Sequence, residues 1–146
     1  GEERVDWLRR LPAERRWRAD DGTLVLVCHA SPGSQTAGFD RELDPNVTLE
    51  RVSRTDARVI VCGHTHQPEV RDLGWKVIVN TGSAGYVFDG DPTASWARID
   101  IEDGEVHAEI RRTEFDALSV ASAISARGLA GDVYRAATVR TGKLVR

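Results

Sequence analysis

Two short runs constrain this chain more than anything else in it. Leu24-Val-Leu-Val-Cys28 and Val59-Ile-Val-Cys62 are apolar at every position, without the in-and-out alternation of a strand that has one wet face. Such a strand has two faces to hide and belongs inside a sheet covered on both sides. Chemistry follows each run at once. His29 ends the first, and Gly63-His64-Thr65-His66 follows the second, so three of the chain's four histidines stand at strand ends. In open α/β sheets the functional crevice lies beyond the carboxyl ends of the strands.

The remaining pattern predicts a mixed α/β chain with some antiparallel pairing. Val5, Leu8 and Leu11 recur at helical spacing over residues 2–11 before Pro12 stops them. Residues 15–19 alternate as a half-buried strand, and Asp21-Gly22 turns the chain into the first apolar run. Residues 30–46 read as a long loop, a length that is usually functional or disordered. A short helix over 47–53 precedes the second run. Hairpins are expected at 69–79 around Gly74 and at 96–111 around Asp103-Gly104, separated by the glycine-rich loop 80–85. Asp116 caps a helix to Arg127, and a last helix ends at Gly142.

The 146 residues suggest one domain, and 40% hydrophobic with 29% charged residues suits a soluble globular protein. A net charge of −3 gives no basic surface for nucleic acid. Trp7, Trp17, Trp75 and Trp96 read as packing residues, because the basic aromatic stripe of a base-stacking platform is absent. No apolar stretch approaches the roughly 18 residues of a membrane span. Cys28 and Cys62 lie inside the apolar runs and read as buried, reduced thiols, which points to the cytoplasm.

Neutral imidazole is a good ligand for zinc, iron, nickel and manganese, especially beside carboxylates. In an extended segment, residues i and i+2 point the same way, so His64 and His66 are expected to lean toward one spot, with Gly63 letting the loop curl. The alternative is structural: a lone histidine is more often a satisfied core or surface residue than a ligand. His107 takes that reading, on the polar face of a strand between Glu105 and Glu109. A zinc site using His29, His64, His66 and one cysteine is a further alternative, although the Cys-x-x-Cys spacing of a zinc knuckle is missing. Ser31, Asn80 and Ser83 follow expected strands and read as groups near a bound ligand or, equally well, as turn residues.

The runs Leu24-Val-Leu-Val-Cys-His-Ala-Ser-Pro32, Val59-Ile-Val-Cys-Gly-His-Thr-His66 and Val79-Asn-Thr-Gly-Ser-Ala-Gly85 resemble the second half of the calcineurin-like metallophosphoesterases, in particular their compact prokaryotic phosphodiesterase branch. Relatives more often have proline where Thr81 stands. The resemblance implies a double β-sheet sandwich flanked by helices. It also implies two divalent metal ions (manganese, iron, zinc or nickel), His29 and His64 on one and His66 on the other. The substrate is then a phosphate ester, with a phosphodiester favoured, attacked by a water that the metal pair activates.

The family's first-half motifs, Asp-x-His, Gly-Asp-x-x-Asp and Gly-Asn-His, are not in the sequence. They would supply the bridging carboxylate and the acid histidine. The expectation is therefore that residues 1–146 form the C-terminal half of one metallophosphoesterase domain, with the N-terminal half on a separate chain or segment. Alone, the chain is expected to bind metal weakly, to be inactive, and to leave its two apolar strands short of cover. The resemblance leaves a second function open: a catalytically dead member of the fold acting as a binding scaffold.

Overall fold

The computed structural model describes residues 1–146. Its central sheet contains β1 (Glu14–Arg18), β2 (Leu24–Cys28), β3 (Val59–Cys62), β4 (Glu69–Asp72) and β5 (Val77–Asn80), in the order β1-β2-β3-β5-β4. The two apolar runs are the neighbouring strands β2 and β3. They pair in parallel with Val25 opposite Val59, and β3 pairs in parallel with β5. Antiparallel β1 and β4 form the two edges. A second sheet is the single hairpin β6 (Ala94–Glu102) and β7 (Glu105–Thr113). Four helices complete the chain: α1 (Glu2–Arg9), α2 (Pro45–Val52), α3 (Ala117–Ser125) and α4 (Asp132–Thr141).

The parallel strands are covered on both faces, contrary to the expectation that they lack half of their cover. On one face Val25, Val59, Val77 and Val79 meet Ala97, Ile99 and Ile101 of β6 and Val106 and Ala108 of β7. On the other, Cys28, Ile60, Cys62 and Ile78 pack with Phe39 and Val52. Val25, Leu26, Val59 and Ile60 are consequently at most 1% exposed. The second cover comes from α2 and from the segment that reads as a featureless loop, because Phe39 folds back from it onto the sheet.

Uncovered apolar surface lies on the helices instead. No residue of α1 is buried, and Trp7 and Leu8 are more than half exposed. On the α3–α4 pair, Leu118 and Val133 are 69% and 76% exposed. The expected half-buried strand at 15–19 is in fact an exposed edge: Arg15 to Arg18 are all exposed, Trp17 about half so. Alternation there marks an outer strand without a layer above it.

Helix α2 starts two residues before the periodicity indicates. The Asp44 carboxylate accepts hydrogen bonds from the amides of Asn46 (2.7 Å) and Val47 (3.4 Å), and Pro45 takes the first turn, where its missing N–H is harmless. Asp44→Ala is expected to lower stability by about 1 kcal/mol. Urea unfolding followed by circular dichroism measures it, and an unchanged midpoint would show that the cap is dispensable. No helix is long and apolar enough to cross a membrane.

Candidate metal centre

The carboxyl ends of β2 and β3 are adjacent because the strands are parallel neighbours. The amide of Gly63 donates to the carbonyl of His29 (3.0 Å), extending the ladder by one residue. His29 and His64 therefore leave the sheet side by side. Their rings meet edge to face, with centroids 5.0 Å apart, and Nδ1 of His64 lies 3.1 Å from Nε2 of His29. His29 is exposed and His64 partly so.

The route by which His64 and His66 reach this end of the sheet differs from the expectation. The segment is not extended. His64 and His66 both adopt left-handed backbone, with φ of 62° and 58°. Gly63 is not the permissive residue: its φ is not positive, and a Cβ there would find its nearest neighbour at 3.6 Å. Left-handed conformation in a residue with a side chain costs on the order of 1–3 kcal/mol and concentrates at functional sites. The surroundings hold it in place. The amide of Thr65 donates to the Gly63 carbonyl (2.7 Å), and Nδ2 of Asn80 donates to Oγ1 of Thr65 (2.7 Å). Asn80, only 1% exposed, also accepts from the Gly82 amide (3.0 Å).

His66 is turned to its own set of partners. Its Nδ1 lies 2.6 Å from the carbonyl oxygen of Tyr86, and its ring stacks on Phe88 at 4.8 Å between centroids. The Phe88 amide donates to the His66 carbonyl (2.9 Å). A carbonyl can only accept, so Nδ1 carries the proton, and in the neutral ring Nε2 keeps its lone pair. A ligating histidine is commonly held this way. No signal in the histidine motif reveals this partner; Tyr86 and Phe88, an aromatic pair just past the glycine-rich loop, are the only trace of it in the sequence.

The structure brings together His29 and His64, and keeps His66 on the Tyr86–Phe88 side. No group of three or more His, Cys, Asp or Glu side chains is arranged to hold an ion. The cysteines do not help. Both are buried, and burial, aided by Glu14, pushes the Cys28 thiol up to about 12 and raises Cys62 as well. Neither is grouped with the histidines, so the four-ligand zinc alternative is not assembled. Asn80 and Ser83 act as turn residues, Ser83 through an oxygen that accepts from the Tyr86 amide (3.1 Å). Ser31 is fully buried, and its hydroxyl has no partner. His107 is exposed on β7 opposite Asp100, as expected.

A family model described as the calcineurin-like phosphoesterase superfamily domain matches residues 1–104. The chain belongs to this superfamily. Two solved structures share the fold across nearly all of the chain. One is a metallophosphoesterase from Sphaerobacter thermophilus, 22% identical with a TM-score of 0.71, which covers 97% of this chain and 64% of that one. The other is a hypothetical protein from Pyrococcus horikoshii, 17% identical with a TM-score of 0.77, covering 97% and 55%. The chain thus spans roughly three fifths of the length of these two structures. Vps29 from Entamoeba histolytica, solved with zinc, aligns at a TM-score of 0.53 and 20% identity over 77% of this chain and 76% of its own. No curated protein matches the chain in sequence.

Members of this phosphoesterase superfamily generally bind divalent metals. The donors present fit one part of such a site. Two nitrogens on one ion at bonds of about 2.1 Å stand about 3.0–3.4 Å apart, and His29 Nε2 and His64 Nδ1 are 3.1 Å apart. The oxygen donors that hard divalent ions prefer are not beside them.

Proposed function

We propose that this chain is the histidine-bearing part of a metal-dependent phosphoesterase, with a phosphodiester as the favoured substrate. The observation that carries the reading is the 3.1 Å approach of His29 Nε2 and His64 Nδ1 at the ends of two parallel strands, in a member of a phosphoesterase superfamily. His29 and His64 would hold one divalent ion and His66, through Nε2, a second. Carboxylates from polypeptide outside these 146 residues, on the same or a separate chain, would complete both. Such ions, when bound, lower the pKa of a water and offset charge on phosphate oxygens.

This chain's own part is to orient. Parallel pairing fixes the spacing of His29 and His64. The Tyr86 carbonyl fixes which nitrogen of His66 is free. Nothing among the three rings offsets the charge of two dications, so the 146 residues alone are expected to bind weakly and turn over nothing.

The test is a zinc and manganese titration of the chain by calorimetry, with a nitrophenyl phosphodiester assay alongside. His29→Ala is expected to weaken binding at least about tenfold. Unchanged affinity in that variant would remove the ligand assignment, and turnover by the unmodified 146 residues would refute the dependence on outside carboxylates.

A further inference from the structure

We propose that Gly38 is a positioning residue for His64: the segment 36–42 is a strap pressed against that imidazole, and the missing side chain at 38 lets the ring face His29. The functional weight of this rests on the metal reading above; the positioning itself does not.

Gly38 is buried against the histidine turn. A Cβ built on it would lie 2.9 Å from Cγ2 of Thr65 and 3.1 Å from Cδ2 of His64. Its φ is not positive, so alanine meets no backbone obstacle there and the whole conflict is steric. Two of the three parties are unable to retreat. The strap is anchored on both sides of Gly38: before it the Ala37 amide donates to Ser34 Oγ (3.0 Å), while Arg51 donates to the Gly38 carbonyl, Arg71 Nη2 donates to the Asp40 carbonyl (3.1 Å), and Phe39 is 2% exposed in the core. Thr65 is pinned through Oγ1 by Asn80 (2.7 Å). The softest coordinate left is the torsion of the His64 side chain. An added methyl group therefore turns the imidazole and pulls Nδ1 away from the 3.1 Å approach to His29. Close packing leaves no slack to absorb it.

The experiment compares the wild-type chain, Gly38→Ala, and Gly38→Ala with Thr65→Ser. Serine keeps the oxygen that Asn80 holds and removes Cγ2, and the vacated space lets the new methyl tilt the few tenths of an ångström that clear the His64 ring. The first readout is the long-range proton–nitrogen spectrum of the imidazoles without metal. In Gly38→Ala the His29 and His64 nitrogen resonances are expected to move, and in the double variant to return toward wild type, while His107 stays put. Unmoved His29 and His64 signals would overturn the proposal, as would a shift that Thr65→Ser fails to reverse. The second readout is zinc affinity, expected to fall about 10–100-fold in Gly38→Ala and recover in the double variant. Moved rings with unchanged zinc affinity would overturn the link from position to ligation. A wild-type chain that takes up no zinc even at millimolar metal would instead sink the metal reading, and the metal-free spectra would still decide the positioning. Should Gly38→Ala fail to fold, Arg51→Met releases the strap without adding an atom at 38. It is expected to shift the same His64 signals, and no shift would refute the strap.

Discussion

Phe39→Ala is expected to destabilise the fold by about 3–5 kcal/mol, the largest stability effect of any single truncation in the chain. Phe39 is among the largest fully buried side chains, at 2% exposure, and it closes the sheet face formed by Cys28, Ile60, Cys62 and Ile78. Its position in an irregular segment matters. A core residue in a helix is held by the helix; Phe39 holds its own segment. The cavity left by alanine therefore opens under a strap that keeps only its polar anchors, and water gains access to strands that are apolar on both faces. A domain of this size has only about 5–15 kcal/mol in total, so the loss is a large share of it. Urea unfolding measures the difference, with Leu118→Ala as the reference. Leu118 is 69% exposed, and its truncation is expected to stay within about 0.5 kcal/mol. Equal midpoints for the two variants would mean that the loop face is not a core.

That example also shows what the sequence reveals and what it conceals. The strands at 24–28 and 59–62 are legible because unbroken apolar runs admit few settings, and the two later hairpins because turn residues flank alternating stretches. The helix caps at Asp116 and Gly142 are legible for the same local reason. What covers the apolar strands is not local. A phenylalanine in a polar loop of seventeen residues (30–46) carries no period, and only the sheet waiting for it gives it a place. The histidines divide similarly. Their placement at strand ends follows from the runs before them. The left-handed turn that carries His64 and His66, and the Tyr86 carbonyl that orients His66, depend on contacts with residues 80–88 that no spacing rule reaches.

His64→Ala is expected to be the most damaging change to function. On the reading proposed above, turnover of a phosphate ester by the protein with its site complete should fall by at least about 100-fold, since even partners that only orient a ligand are worth about 10–100-fold. The argument turns on geometry. Without His64, His29 loses its ring partner, one nitrogen replaces two at 3.1 Å, and the chain has no neighbouring carboxylate to substitute. Alanine also disturbs the backbone, because the residue at 64 must hold a φ of 62°, a conformation that alanine tolerates poorly. Loss of activity in that variant would then have two explanations. His64→Gly separates them. Glycine accepts left-handed backbone at no steric cost and supplies no donor atom, so it preserves the turn and removes the ligand. Both variants are expected to lose activity and metal content to a similar degree, with His107→Ala unchanged because His107 is on an exposed strand face. A Gly variant that retained full activity would place the importance of residue 64 in the turn alone, and would leave His29 without a partner nitrogen to share an ion with.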